Sequence, residues 1–200
     1  IFSQEIRFKQ DDGSDFPDWE DRLIGKISKF KNGRPHEGNV SEDGKFNLIS
    51  LDSIDVNGRL KNKHKKVIFN DNSLSENDLV MILSDIAYVQ IIGLSAIIPS
   101  GNYVLNQRVG RIRMDKEFSS LFTAYYLNFN QIFFKKRAQG TSQKHIYERD
   151  INQLKLYFPT IDEQQKIASF LSALDKKIDL AKLQIEKTQT FKKGLLQQMF

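Results

Sequence analysis

The chain contains no cysteine, which excludes a disulfide framework, a thiolate metal site and a cysteine nucleophile. Proline is scarce: Pro17, Pro35, Pro99 and Pro159 are all there is, so nothing after residue 159 interrupts a helix by ring geometry. Long hydrophobic runs are missing too. The longest mainly apolar stretch, residues 91–98, is far too short to cross a bilayer, and no signal-peptide pattern opens the sequence. A soluble, cytoplasmic protein with no membrane partner is the expectation. Charge of one sign is only in slight excess, with 30 Lys and Arg against 25 Asp and Glu for a net of +5. That balance permits an anionic partner without demanding one.

Catalytic constellations are also wanting. Gly33-Arg34-Pro35-His36-Glu37-Gly38 has the glycine spacing of a phosphate loop, but Asn39 and Val40 stand where Lys and Ser or Thr are required. His36, His64 and His145 are scattered singly, as solvated loop histidines rather than a metal triad. Pro17-Asp18 followed by Asp43-Gly44-Lys45 has the outline of a metal-nuclease motif. That chemistry needs two carboxylates sharing a divalent ion on adjacent strands. Here Asp18 precedes a helical pattern and Asp43-Gly44-Lys45 reads as a turn. No cofactor, no metal and no catalytic residue are expected; a standalone metal-dependent nuclease is the weakest reading.

What the sequence does contain is divided at Pro159-Thr160-Ile161-Asp162-Glu163-Gln164-Gln165-Lys166-Ile167. Thr160 can cap a helix, with Glu163 reaching back to it as a capping box. Asp162 and Glu163 place negative charge at the positive end of the helix dipole. Apolar residues then alternate at spacings of four and three through Ile167, Leu171, Leu174, Ile178, Ala181 and Ile185, resuming at Leu195 and Met199 after the polar Thr188 and Lys192. This is a coiled-coil seam. Such a helix would run about 58 Å, whereas a globule of the preceding residues spans only about 40 Å. The helix must project and bury its seam on a partner, most simply a second copy of itself.

Residues 1–159 read as an α+β head. Residues 1–16 form a polar lead-in, and Trp19, Leu23, Ile27 and Phe30 predict an amphipathic helix over 18–30. Residues 46–51, 79–83, 88–92 and 96–98 are strand candidates, and Val56-Asn57-Gly58-Arg59 carries a hairpin signal. Arg111 and Arg113 alternate with Ile112 and Met114, a strand with one wet face. Residues 117–138 form a second helix candidate, and Leu154, Leu156 and Phe158 alternate into a last strand.

Positive charge gathers in two places. Arg59, Lys61, Lys63, His64, Lys65 and Lys66 follow the Asn-Gly turn; Lys135, Lys136 and Arg137 precede Gln139-Gly140-Thr141-Ser142-Gln143-Lys144-His145. Arg34, Arg59, Lys61, Lys63, Lys65, Lys135, Lys136 and Arg137 are the candidate phosphate contacts, since Lys and Arg neutralise a nucleic-acid backbone. Gln139, Thr141, Ser142, Gln143 and Lys144 are the candidate base readers, because short polar side chains on a turn can reach base edges in a major groove. The plainer reading makes both clusters solvated surface and the protein a structural or adaptor coiled coil.

Several segments together resemble the DNA-specificity subunit of type I restriction–modification systems. They are Phe16-Pro17-Asp18-Trp19-Glu20, Ile49-Ser50-Leu51-Asp52-Ser53-Ile54, Glu76-Asn77-Asp78-Leu79-Val80-Met81-Ile82 and Asn106-Gln107-Arg108-Val109. The Gly140-Thr141-Ser142-Gln143 turn, the helix start at Pro159 and the closing Lys193-Gly194-Leu195-Leu196-Gln197-Gln198-Met199-Phe200 complete the likeness. The resemblance implies a target-recognition domain over 1–159 and a conserved spacing and dimerisation helix over 160–200. It implies a non-catalytic subunit that reads half of an interrupted double-stranded DNA target. Methyltransferase (modification) subunits and a motor-nuclease (restriction) subunit are the implied partners, and the helix pairs antiparallel with that of a second recognition half. Only one copy of the repeated unit is present, and Ile1-Phe2-Ser3-Gln4-Glu5-Ile6-Arg7-Phe8-Lys9 resembles the joint after a first helix. A C-terminal half is the expectation, as a natural truncated product or a fragment.

Overall fold

The computed structural model describes residues 1–86 and 90–199. After a lead-in, β1 (Glu20–Leu23), α1 (Ile24–Ile27) and β2 (Ser28–Asn32) follow directly upon one another, and then come β3 (Phe46–Ile49), β4 (Lys66–Val67), β5 (Leu79–Ile82), β6 (Ser84–Ile86), β7 (Ser95–Ile97), β8 (Tyr103–Leu105) and β9 (Val109–Met114). The remainder is α2 (Ser120–Phe129), α3 (Gln131–Arg137), β10 (Gln143–His145), α4 (Glu148–Asn152), β11 (Lys155–Phe158) and the long α5 (Ile161–Met199).

A four-stranded sheet ordered β2-β9-β5-β7, wholly antiparallel, is the middle layer. Leu79, Met81 and Ile112 lie on one face, in a core shared with Phe122, Leu127 and Phe134 of α2 and α3. Val80, Ile82, Val109 and Ala96 lie on the other, in a core shared with Ile49 and Leu105 of the β4-β3-β8 sheet. Burial on both faces explains why β5 reads Leu-Val-Met-Ile with no polar alternation. Each fully buried aliphatic side chain contributes about 1.5–3 kcal/mol of transfer free energy.

The expected helix over 18–30 is corrected to strand, a single four-residue helical turn, and strand. Trp19, Leu23, Ile27 and Phe30 satisfy a helical spacing, but β1 pairs with β11 (Glu20↔Phe158 to Leu23↔Lys155) and β2 pairs with β9 (Ser28↔Met114 to Asn32↔Gly110). Backbone pairing with distant segments outweighs a weak local period. The expected helix over 117–138 divides at Asn130, which leaves helical geometry (φ −91°, ψ 16°) and closes α2 by donating to the Tyr126 carbonyl from both its backbone amide, at 3.1 Å, and its side-chain amide, at 2.9 Å. Ser119 caps α2 by accepting from the Phe122 amide. The strand expected at 88–92 falls partly outside the described residues; residues 90–92 form a bend and turn. The Asn57-Gly58 turn is present with Gly58 at φ +74°, but only the Ile54↔Leu60 bridge flanks it.

β11 leads through Pro159 and Thr160 into the 39 residues of α5, about 58 Å of helix. Its first turns dock on the head: Glu163, Gln164, Ile167 and Ala168 are buried, and Leu171 packs against the same core. Glu163 does not close a capping box on Thr160. Its carboxylate, fully buried, receives Arg7 Nη2 at 2.8 Å and Trp19 Nε1 at 3.1 Å. Gln164 accepts from the Ser119 amide and donates to the Pro159 carbonyl. Further along, Arg59 bridges Asp175 and Asp179, each at 2.5 Å, and the Tyr125 hydroxyl donates to Asp175 at 2.7 Å. Burial and that bond to a carboxylate both raise the Tyr125 pKa. The expected seam is therefore shared: Ile167 and Leu171 serve the head, while Leu174, Ile178 and Ile185 are 39%, 48% and 57% exposed. Ala181 and Leu195 are also exposed, and the Met199 side chain lies outside the described residues. Leu180, Leu183 and Phe191 are further exposed apolar residues that the seam does not include.

Candidate nucleic-acid interface

The polar segment after α3 folds as a narrow hairpin. The Gln139 amide donates to the His145 carbonyl at 2.9 Å and the His145 amide donates back at 2.8 Å. The return arm, β10, pairs antiparallel with β6 (Gln143↔Ile86 to His145↔Ser84). Gly140 makes the closure possible: it sits at φ +120°, and a Cβ there would stand 2.0 Å from the Gln143 carbonyl oxygen. Gln139, Thr141 and Ser142 are exposed, and Gln143 and Lys144 are half-buried along the β6 edge. The hairpin thus presents a polar tip with its backbone already satisfied.

Lys135, Lys136 and Arg137 form the last turn of α3, immediately before the hairpin. Lys136 and Arg137 are exposed, Lys135 half-buried, and Arg137 lies 3.6 Å over the Phe133 ring, which orients its guanidinium. Lys61, Lys63 and Lys65 are exposed in the segment leading to β4. Arg59 is different. Its guanidinium is held by Asp175 and Asp179 of α5, so it braces the helix and leaves the group of available phosphate contacts. Arg34 is exposed, and its backbone bridges to Asn106.

That bridge leads to residues that carry part of the family resemblance in the sequence but were given no role in DNA contact there. The β8–β9 turn, Asn106-Gln107-Arg108, is joined to the rest of the site through Leu83. The Leu83 amide donates to the Arg108 carbonyl at 2.9 Å, and the Leu83 carbonyl accepts from the Ile146 amide at 2.9 Å. Turn and hairpin base therefore meet at one residue. Arg108 and Lys65 line the same shallow groove, together with Ser50 and Asp52. The structure thus brings Lys65, Arg34, the 106–108 turn and the hairpin base to neighbouring positions.

Lys29 and Lys31 were also missed. They are exposed on the edge strand β2, directly opposite Arg113 and Arg111. Like charges facing each other across strands repel. Arg113 is neutralised by Asp78, at 2.6 and 2.7 Å, and Arg111 donates to the Ser73 carbonyl at 3.2 Å. Segment 73–78 therefore covers part of the arginine face that alternation alone makes wet. Only the pairing of β2 with β9, invisible to a helical reading of 18–30, could have placed these lysines on a sheet edge.

Asp18 and Asp43, the carboxylates of the nuclease pattern, precede strands of different sheets. Asp18 is exposed 3.7 Å from Arg7, and the Asp43 amide bonds the Ser41 hydroxyl. Among the described residues no three His, Asp or Glu side chains form a group fit to hold a metal ion. None of the described helices is long and apolar enough to cross a membrane.

Comparison with known proteins adds to this geometry. The type I restriction modification DNA specificity domain family matches the chain over residues 17–188. The type I restriction enzyme MjaVIII specificity subunit of Methanocaldococcus jannaschii is 26% identical over 201 aligned positions, covering 100% of this chain and 46% of that protein. The S subunit of a type I restriction–modification system from M. genitalium superposes with a TM-score of 0.65 at 18% identity, covering 87% of this chain and 42% of that one. A chain solved for the complex assembly and conformational transition of a type I R-M system gives 0.69 at 15%, over 93% and 46%. The HsdS subunit of Thermoanaerobacter tengcongensis gives 0.62 at 13%, over 86% and 41%. At these identities the structural likeness establishes the fold. The chain spans less than half the length of each of these relatives.

Proposed function

Because the chain belongs to the type I restriction modification DNA specificity domain family, we propose that it reads one half of an interrupted double-stranded DNA target without performing chemistry itself. Methyl transfer and cleavage belong on this reading to modification and restriction subunits that assemble with it. Residues 1–159 act as the recognition domain and residues 160–200 as the helix that sets spacing and docks partners.

One observation carries the reading: the polar hairpin at 139–145, its tip exposed, anchored to β6 and preceded by the cationic last turn of α3. Lys135, Lys136, Arg137, Lys61, Lys63, Lys65 and Arg34 contribute phosphate contacts, which set orientation and salt dependence. Gln139, Thr141, Ser142, Gln143 and Lys144 contact base edges, which set the sequence chosen. The helix supports the second half of the proposal, since Leu174, Ile178 and Ile185 leave an apolar stripe in water that a second helix would cover.

Selection of binding sites from a randomised duplex pool tests the reading, paired with methylation mapping in a cell carrying the gene and its methyltransferase. The expected result is one enriched half-target in the pool and the same half-target within the methylated sequence. A chain that enriches nothing and directs no methylation overturns it.

A further inference from the structure

The turn between β8 and β9 is built more elaborately than a connection needs. Gly33 must be glycine for the turn to sit where it does, since a Cβ there would fall 1.9 Å from the Asn106 carbonyl oxygen. Asn106 is buried, accepts from the His36 amide at 2.9 Å and donates to Glu37 Oε1 at 3.0 Å. Gln107 donates its side-chain amide to the same oxygen at 2.9 Å. Arg108 then adopts φ +68°, a conformation that L side chains other than Asn and Asp rarely take. Strain of this kind persists only where the surroundings impose it, and it clusters at functional sites. Arg108 is exposed, and no carboxylate among the described residues pairs with it.

The chemistry of the two side chains follows from their partners. Hydrogen bonds from Gln107 and Asn106 hold the Glu37 carboxyl below its ordinary range, so at neutral pH it is an acceptor only. The NH2 of Gln107 must then face Glu37, which leaves the Gln107 oxygen as the free atom. Beside it stands a guanidinium with five donors. An arginine fork matches the O6 and N7 acceptors of guanine, and a lone carbonyl oxygen matches the exocyclic amino group of cytosine or adenine. The turn and the hairpin base meet at Leu83. From there to the hairpin tip is about four residues, roughly 13 Å at strand rise, or about four base-pair steps along a duplex.

Resting on the DNA-recognition reading, we propose that the Asn106–Arg108 turn is a second base-reading element in the groove the hairpin enters. Arg108 donates to a guanine, and the oriented Gln107 accepts from an amino group on a neighbouring base.

The experiment is selection from a randomised duplex pool by the full chain and three variants, with melting temperature measured alongside. Arg108→Asn keeps a residue suited to positive φ and should lower the preference for guanine at one position by about five- to a hundred-fold, other positions keeping theirs. Gln107→Met removes the acceptor at similar volume and should relax a neighbouring position. Glu37→Gln frees the Gln107 amide to turn over and should admit a base with an acceptor at that same position. Variants that choose the wild-type sequence unchanged overturn the proposal, as do variants that lose affinity equally for all sequences, the mark of phosphate contact. If Arg108→Asn fails to fold, Gln107→Met decides alone. A wild type that enriches nothing defeats the recognition reading and this proposal together, whereas a wild type that enriches a target shared by every variant defeats this proposal only.

Discussion

Glu163 has the sequence position of a helix-capping acid and the structural role of an anchor. Fully buried and bonded by Arg7 and Trp19, it joins the lead-in, the residue that enters β1 and the long helix at one carboxylate. Removing one partner of such a pair leaves an uncompensated buried charge, typically costing 3–5 kcal/mol. Arg7 keeps 24% exposure, so Arg7→Ala should fall at the lower end, about 3 kcal/mol, read from the urea midpoint at unchanged slope. A loss below about 1 kcal/mol would place the pair with ordinary surface bridges. His64 gives a second residue-level test. Burial is the main cause that lowers its pKa, with Lys66 adding to it. The unfolded chain therefore binds a proton more readily than the folded one. Stability should fall as pH drops below about 6.5, the ordinary histidine value, toward the depressed folded value. His64→Gln, followed by thermal melts between pH 5 and 8, should flatten that part of the profile; an unchanged slope assigns it to other groups.

At the scale of elements, Arg59 shows how a charge changes meaning with its neighbour. Next to Lys61 and Lys63 in sequence it belongs to a basic cluster; in the fold it ties the Asn57-Gly58 turn to α5 through Asp175 and Asp179. Both pairs are partly exposed, so Arg59→Ala should cost only about 1 kcal/mol. The salt dependence of DNA binding should be unaltered in that variant. Lys63→Ala or Lys65→Ala should instead leave stability unchanged, weaken binding to all sequences alike and reduce the salt slope by about 1. Equal salt slopes for wild type and Lys65→Ala would remove that cluster from the phosphate surface. The division of the 117–138 segment into α2 and α3 belongs to this scale too, because Asn130 leaves helical geometry and turns both its backbone and side-chain amides onto the Tyr126 carbonyl.

For the molecule as a whole, the exposed stripe of α5 calls for a second helix to cover it. Leu174, Ile178 and Ile185 lie exposed along α5 beyond the turns that dock on the head. Burying such side chains at about 1.5–3 kcal/mol each favours an antiparallel pair of chains related by a two-fold axis. Light scattering at micromolar concentration should give a dimer for the wild type and a monomer for Leu174→Lys combined with Ile178→Lys. A monomeric wild type would direct the stripe to the helix of another recognition half instead.

The sequence alone determined what depends on near neighbours along the chain. The long helix, the fully apolar β5, the alternating β11 and the turn at Gly140 are all legible because side chains two to four residues apart suffice to specify them. So was the kinship, which rests on short motifs. Only the tertiary structure decided whether residues 18–30 coil or extend, because Trp19, Leu23, Ile27 and Phe30 fit a helix until β11 and β9 offer their edges. It alone turned Glu163 inward toward a residue 156 positions away. It also gave Arg59 to a helix 116 and 120 positions on, and set the Asn106–Arg108 turn against the hairpin through Leu83. A charge or an amide is assigned by the partner that reaches it, and no local period records a partner that the chain returns to only after folding.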